Sequence, residues 1–319
     1  MNKISRRSFI TGISSAASLL LPFSLSSKNI GSRIKLSVFT DEISNDFGRA
    51  LEIAAEEFKI SFVELRNLWG KSLLDLDTNE IAESQRLLKK YGLKVSNIAS
   101  PLFKIHWPGA PLPAGQKNGV SSKLSTLAQQ DIILERGIEA AHRYGTSLLR
   151  CFDFWRLADR GPYQAAIDEK LREAAIKAGK NRVTLALENE YSCNTATEAE
   201  AVRTLNAVNV PSFKLIWDPG NSVWMGGKPF PEGYAALPKN RIAHIHVKDV
   251  IIKPNGAFEW APVGRGVIDF VGIFQALRKS GYQGAVSLET HWKGAGSPEE
   301  STRQSMAGLK EAMKKAGAI

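Results

Sequence analysis

Short apolar runs alternate with amphipathic helical patterns along almost the whole chain, and this alternation constrains the fold more than any other feature. Glycines that suit helix C-caps close several of the helical patterns, among them Gly92, Gly145, Gly179 and Gly281. Eight strands are predicted, at residues 34–40, 62–66, 94–99, 147–152, 184–189, 213–218, 242–249 and 285–290. The helix after the sixth strand has the weakest pattern and is placed at residues 232–237. The succession of strand–helix units predicts an α/β protein with the (β/α)8 TIM barrel fold.

An open, doubly wound α/β sheet is the alternative for such an alternation. Dinucleotide-binding sheets of that kind carry Gly-x-Gly-x-x-Gly after the first strand. No such motif follows residues 34–40, so the barrel is favoured. No linker-like segment interrupts the pattern, and residues 28–319 are therefore predicted to form a single barrel domain.

Residues 1–27 have the pattern of an export signal. Arg6 and Arg7 lie in Ser-Arg-Arg-Ser-Phe-Ile and precede an apolar stretch that Gly12 and several serines interrupt. Paired arginines of this kind are typical of twin-arginine signals. The stretch is too short and too interrupted for a stable membrane span. We therefore expect a periplasmic or otherwise exported protein, with an uncleaved amphipathic anchor as the alternative.

The formal net charge is +10 at pH 7, but lysines and arginines are dispersed among acids rather than gathered in a run. This distribution indicates a solvated surface and disfavours nucleic acid as a partner. Cys151 and Cys193 are the two cysteines, and the sequence leaves open whether they pair or remain buried thiols. A homo-oligomer is compatible with the sequence, which does not define the oligomeric state.

Four residues able to bind a metal lie at the ends of four consecutive predicted strands: Glu188, Asp218, His246 and Glu289. The carboxyl ends of barrel strands converge on one mouth, so these side chains can meet around a single ion. Alternation along each strand predicts that all four point into the barrel. We call these four residues the quartet, and we predict that it binds one divalent ion.

The quartet and its surroundings resemble the sugar isomerase and epimerase superfamily, which shares the xylose-isomerase-like barrel. The matching segments are LALENE, WDPGN, HIHVKD and SLET, together with VELRNLWG, IASP, LLRCF and VGRGVIDF. The resemblance implies that the quartet binds one ion, commonly manganese, through His246 rather than His244. It also implies that Glu188 and Glu289 act as catalytic acid and base.

The chemistry can also be argued from the residues themselves. A divalent ion bound to neighbouring sugar oxygens polarises a ketone and acidifies the adjacent C–H group. A carboxylate can then remove the proton, and a second carboxylate is needed when protons are exchanged on opposite faces. Glu188 and Glu289 supply such a pair. Oxygen-rich ligation with one imidazole suits manganese, magnesium, cobalt or zinc.

The predicted partner is a small carbohydrate. The segment 101–122 is expected to form a lid or wall over the mouth, with His106 and Trp107 as contacts. Six tryptophans follow predicted strands and offer flat surfaces for sugar rings: Trp69, Trp107, Trp155, Trp224, Trp260 and Trp292. Further predicted substrate contacts are Glu64, Arg150, Asn221, Lys248 and Arg265.

Structural ion pairing is the alternative role for several of these charged residues. Glu64 would then pair with Arg66 or Arg150, and Lys248 with Asp249.

The leading hypothesis is a metal-dependent isomerase or epimerase acting on a sugar or keto-sugar. A lyase or hydratase that cleaves 3-keto-glycosides by β-elimination would use the same proton removal. Export favours it, because sugar phosphates are cytoplasmic metabolites and glycosides are met outside the inner membrane. A phosphodiesterase like the apurinic endonucleases is disfavoured, because its metal cluster needs more ligands than five histidines offer. A non-catalytic sugar-binding protein is disfavoured by the intact quartet.

Overall fold

The computed structural model describes residues 34–111, 113 and 123–319. The strands are β1 (Lys35–Val38), β2 (Phe62–Leu65), β3 (Asn67–Leu68), β4 (Lys71–Ser72), β5 (Lys94–Leu102), β6 (Leu148–Cys151), β7 (Thr184–Glu188), β8 (Phe213–Trp217), β9 (Ile242–Val247), β10 (Asp249–Ile252), β11 (Phe258–Ala261) and β12 (Ala285–Leu288). The helices are α1 (Thr40–Ile43), α2 (Phe47–Glu52), α3 (Thr78–Lys90), α4 (Gln130–Arg143), α5 (Gln164–Lys180), α6 (Glu198–Val208), α7 (Pro219–Trp224), α8 (Tyr234–Ala236), α9 (Phe270–Lys279) and α10 (Pro298–Lys315).

Eight parallel strands form the barrel, in the order β1-β12-β9-β8-β7-β6-β5-β2. The remaining seam, between β1 and β2, is joined by a parallel bridge between Phe39 and Glu64. Each barrel strand overlaps one of the predicted strands, and the predicted TIM barrel is confirmed. Pairing of neighbours in this order brings the carboxyl ends of all eight strands to one mouth.

Side-chain alternation along the strands gives the barrel two apolar regions, one between the sheet and the helices and one inside the barrel. On β8, Phe213, Leu215 and Trp217 are buried in the apolar layer between sheet and helices. The opposite face of the sheet contributes a separate small cluster of Leu148, Ala186 and Ile216 inside the barrel. Polar and charged side chains lie beyond this apolar layer, toward the carboxyl ends of the strands.

The connection after β8 contains a helix that was not predicted, α7, before the short helix predicted at residues 232–237. Helix α7 begins immediately after the strand, because the Asp218 carboxylate caps it by accepting the backbone N–H of Asn221. The predicted helix corresponds to the one-turn helix α8, which directly follows a π-helical turn, Pro229–Gly233. Helix α7 was not predicted because it is short and is started by a side-chain cap from Asp218, and such a cap produces no apolar periodicity in the sequence.

Two hairpins were not predicted. β3 pairs with β4, and β10 pairs with β11, both antiparallel. The predicted seventh strand, residues 242–249, is consequently divided into β9 and β10 at Lys248. The second hairpin carries Trp260 back to the mouth of the barrel.

The predicted export signal, residues 1–27, lies outside the described residues, as do positions 112 and 114–122 of the predicted lid. No helix in the described part of the chain has both the length and the hydrophobicity needed to cross a membrane. Cys151 and Cys193 are both buried and free.

Candidate active site

The quartet comes together at the mouth of the barrel. One ligand atom from each of Glu188, Asp218, His246 and Glu289 lies within 4.8 Å of the others. None of the four side chains is more than 3% exposed. Glu188 is the last residue of β7, His246 lies on β9, and the two other acids directly follow β8 and β12. Inward alternation at four neighbouring strand ends is thus sufficient to build the cluster.

The imidazole of His246 is oriented from behind by Glu64. Its Nε2 lies 3.1 Å from Glu64 Oε1, which leaves Nδ1 facing Glu188 Oε1 at 3.1 Å. The other Glu64 oxygen contacts His244 Nε2 at 2.9 Å. Asn97 donates a hydrogen bond of 2.7 Å to Glu64 Oε1. A carboxylate behind a ligating histidine fixes the ring orientation and increases its basicity.

Lys248 lies beside the quartet. It directly follows β9 and is two residues after His246, so it points to the same side of the barrel wall as that histidine. Its Nζ is 2.6 Å from Glu289 Oε2 and 2.9 Å from Asp218 Oδ2. Glu188 Oε1 is farther away, at 4.0 Å. The ammonium is fully buried and lies 5.5 Å from the centre of the Trp260 ring.

Arg150 supports Glu188 from outside the quartet. Its Nη1 contacts Glu188 Oε2 at 3.0 Å. Its two other nitrogens donate to the carbonyls of Ala99 and Ser100. All three nitrogens of the guanidinium are therefore engaged.

Arg66 supports Glu289 in the same way. Its Nη1 contacts Glu289 Oε1 at 3.0 Å, while Nε and Nη2 contact Asp41 and Glu42 at 2.8 and 2.7 Å. The sequence left open an ion pair of Glu64 with Arg66 or Arg150. The structure pairs Glu64 with the two histidines instead.

Electrostatics distinguish the members of the quartet. Burial raises the pKa of Asp218 to about 6, although Lys248 opposes this rise. Burial would also raise the pKa of Glu188, but the charges of His246 and Arg150 outweigh it and lower that pKa to about 2. Burial opposes the charge on His246, yet Glu64 and Glu188 raise its pKa to about 10. The cluster therefore holds ionised glutamates at neutral pH.

Glu289 follows the same pattern as Glu188. Burial would raise its pKa, but Lys248 and His291 hold it well below the ordinary range.

The residues fit a divalent ion. His246 Nδ1 and Asp218 Oδ2 are buried without a hydrogen bond of good geometry to a described residue. Their nearest charged neighbours are Glu188 Oε1, 3.1 Å from Nδ1, and Lys248 Nζ, 2.9 Å from Oδ2. Because the four ligand atoms of the quartet lie within 4.8 Å of one another, one cation can contact all of them. Carboxylate oxygens with one imidazole nitrogen are ligands for manganese, magnesium, cobalt or zinc.

A cavity of about 470 Å³ adjoins the quartet, a volume suited to a small ligand. Arg66, Arg150 and Glu289 lie on its inner wall. Aromatic and polar side chains complete the lining: Asn67, Ser72, Ala99, Pro101, Lys104, Phe152, Trp155, Glu190, Tyr191, Ser192 and His291.

The predicted substrate contacts do not all lie at this cavity. Arg150 lines it, and Asn221 reaches the quartet with Nδ2 3.4 Å from Glu188 Oε1. Glu64 is buried behind the histidines. His106 Nε2 contacts the Ala110 carbonyl at 2.8 Å.

Arg265 lines a different cavity, between the segment after β11 and helix α10. Asp249 holds this segment, because its carboxylate accepts the backbone N–H groups of Gly264 and Gly266 at 2.9 Å each. Lys248 does not pair with Asp249, which was the alternative considered for it.

The predicted tryptophans likewise differ in whether they lie at the cavity or pack elsewhere. Trp155 lines the cavity, and Trp260 stacks on Trp224 at 4.3 Å while meeting His291 at 5.1 Å. Trp69 packs on a phenylalanine of α2, and Trp107 packs on Phe154. Packing therefore accounts for these last two rings.

Several lining residues were not predicted. Glu190 and His291 lie two positions after Glu188 and Glu289, so continuing the alternation beyond the strand ends would have indicated them. No comparable signal marks Lys104, whose Nζ is 3.5 Å from Glu190 Oε2 and 4.5 Å from the centre of the Phe152 ring.

Removing a quartet ligand should abolish metal binding. We expect the Asp218→Ala and His246→Ala proteins to lose the divalent ion, because three remaining ligands leave the ion underligated and a buried charge uncompensated. Elemental analysis after dialysis against limiting manganese measures the occupancy. The Glu259→Gln protein, altered at an exposed glutamate on β11, is the control. Full occupancy in both alanine proteins would refute the assignment.

Glu64→Gln should weaken metal binding without removing a ligand. A glutamine has only one oxygen acceptor for two histidines, so the His246 ring loses its fixed orientation. Loss of such a supporting carboxylate lowers affinity about 10- to 100-fold. Manganese titration of the metal-stripped protein tests this expectation, and an affinity equal to that of the unaltered protein contradicts it.

A family model and a protein of known activity both match most of this chain's length. A family model described as xylose isomerase-like TIM barrel matches residues 52–312. L-ribulose-5-phosphate 3-epimerase of Escherichia coli (strain K12) is 27% identical over 216 residues, which cover 66% of this chain and 74% of that protein.

Solved structures share the fold. A xylose isomerase-like TIM barrel protein from Mycobacterium smegmatis, in complex with magnesium, has a TM-score of 0.66 and 18% identity, over 89% of this chain and 98% of that chain. A D-allulose 3-epimerase from Methylomonas sp. has a TM-score of 0.63 and 16% identity, over the same shares of 89% and 98%. With its barrel and with a family match over most of its length, this chain belongs to the xylose isomerase-like TIM barrel family.

Proposed function

We propose that this protein is a divalent-metal-dependent sugar isomerase or epimerase that removes a proton from the carbon next to a carbonyl. The observation that carries the proposal is the convergence of two buried, ionised glutamates with Asp218 and His246 beside a ligand-sized cavity. The epimerase names of relatives in the same family support the same class of reaction.

The chain's own groups have distinct roles in this proposal. Glu188 and Glu289 lie on strands separated by β8 and β9, so they approach a substrate from different sides of the mouth. One carboxylate accepts the proton from the substrate carbon and later returns it to solvent. The other takes up a proton from solvent and donates it to the opposite face of the same carbon. Asp218 and His246 complete the ligand set. A divalent ion bound there would supply polarisation of the substrate carbonyl.

Arg150 and Arg66 serve as positioning residues. Each binds the outer oxygen of one catalytic glutamate, Glu188 or Glu289 respectively, and leaves the other oxygen directed to the quartet. Asn221 adds a donor near Glu188 that is able to hydrogen-bond a sugar hydroxyl. The catalytic carboxylates are thus held in place before the substrate arrives.

Glu188→Gln and Glu289→Gln should each stop exchange of the substrate α-hydrogen with solvent deuterium. An amide oxygen still binds a metal weakly but accepts no proton, so we expect exchange to fall at least about 100-fold. Mass spectrometry or NMR of keto-sugars incubated in D₂O measures the exchange. Glu259→Gln is the matched control, and unimpaired exchange in either test protein would remove that glutamate from the acid–base role.

The same proton removal also supports a second outcome, β-elimination from a 3-keto-glycoside. Phe152, Trp155 and Tyr191 line the cavity beyond the quartet and offer apolar surface for an aglycone or second sugar ring. The exchange experiment distinguishes the two reactions when 3-keto-glycosides are included: an epimerase returns an isomer of its substrate, whereas a lyase releases the aglycone.

We further propose that the substrate is not phosphorylated. Three cations line the cavity, Arg66, Arg150 and Lys104, and each already faces a carboxylate. A phosphate would bring negative charge against groups whose positive charge is already compensated. The proposed export of the protein agrees with this substrate class, because sugar phosphates are cytoplasmic metabolites.

Competition between matched sugars tests this proposal. We expect L-ribulose to inhibit the exchange reaction at least about tenfold better than L-ribulose 5-phosphate, because no uncompensated cation in the described lining receives the phosphate. Inhibition constants measured at one ionic strength provide the comparison. A preference for the phosphorylated sugar would overturn the proposal and assign anion binding to Arg66, Arg150 or Lys104.

A further inference from the structure

We propose that Lys248 competes directly with the divalent ion for the quartet, so that its ammonium is the resident cation of the metal-free protein. The inference rests on the proposed metal site and goes beyond it, since it gives a defined role to a buried lysine that is not a metal ligand. It follows from three features: the atoms that Lys248 contacts, the space made for its side chain, and the balance of charge.

The ammonium contacts the oxygens that are left for a metal. One oxygen of each acid is engaged elsewhere: Glu188 Oε2 by Arg150, Glu289 Oε1 by Arg66, and Asp218 Oδ1 by the N–H group of Asn221. The three remaining oxygens face the centre of the quartet. Lys248 Nζ lies 2.6 and 2.9 Å from two of them and 4.0 Å from the third.

The chain makes room for the lysine in this position. A Cβ atom added to Gly220, on helix α7, would lie 2.7 Å from Lys248 Cγ and 2.7 Å from the Lys248 carbonyl oxygen. Only glycine therefore allows the lysine stem to pass so close to the helix. The ammonium itself lies over the Trp260 ring, 5.5 Å from the ring centre.

The charges explain what the lysine does there. Arg150 and Arg66 each pair with one quartet glutamate. Asp218 pairs with Lys248, so removing the ammonium from the metal-free protein would leave that buried carboxylate without its cation, which is strongly destabilising. A divalent ion that binds the same oxygens is repelled by this ammonium over a short distance in a buried site. Lys248 therefore stabilises the metal-free barrel and lowers its affinity for metal, which keeps the ion exchangeable.

Lys248→Met tests the competition in the full-length protein. We expect the metal-stripped variant to bind Mn²⁺ at least about tenfold more tightly than the unaltered protein, because the opposing charge is gone. Its melting temperature should be lower without metal and should rise more on adding Mn²⁺. Titration calorimetry and thermal unfolding measure the two effects. Lys248→Gln, which keeps a donor but no charge, should shift both in the same direction if the methionine protein does not fold without metal.

Lys104→Met is the matched control. Lys104 lines the cavity beside the quartet and pairs with Glu190 rather than with a quartet residue, so its removal should leave Mn²⁺ affinity within about twofold. Equal or weaker Mn²⁺ binding by both Lys248 variants would overturn the competition while leaving the metal site standing. Absence of Mn²⁺ binding in the unaltered protein and in both Lys248 variants would overturn the metal site itself, and the competition with it.

Discussion

Compensation of buried negative charge is the constraint on which the mouth of this barrel depends. Four carboxylates, those of Glu64 and of the three quartet acids, are at most 3% exposed. The three glutamates are held by imidazole or guanidinium groups from other strands or strand ends. Asp218 is held by the Lys248 ammonium and by the N–H group of Asn221 in the following helix. Because an uncompensated buried charge costs several kcal/mol, these partners are as necessary to the fold as to any chemistry. The same pairings leave one oxygen of each quartet acid directed inward.

Much of this arrangement was predictable from the sequence. The eight strands, the inward direction of the quartet and the position of Lys248 follow from two regularities, alternation along a strand and convergence of parallel strand ends. The first regularity is local and the second depends only on the order of the strands, so the pattern of apolar residues is sufficient to predict both. Glu64 and Arg66 point inward in accordance with the same alternation.

Partner choice was not predictable, because it depends on distances across the barrel. Glu64 pairs with histidines on β9, and Arg66 reaches Glu289 more than two hundred positions away in the chain. The predicted role of a loop residue, Arg265, was wrong for the same reason. Asp249 draws the Gly264–Gly266 segment back by two backbone hydrogen bonds and so directs Arg265 to another cavity. Such contacts leave no periodic trace in the sequence.

The closing seam of the barrel also has a consequence for the quartet. β1 and β2 are joined through a bridge at Phe39 and Glu64, and these same residues contact the His246 imidazole, one by ring packing at 5.0 Å and the other by hydrogen bonding. Separation of β1 from β2 at this seam would therefore remove both supports of the imidazole together. The contacts that close the barrel and those that align its histidine share the same two residues.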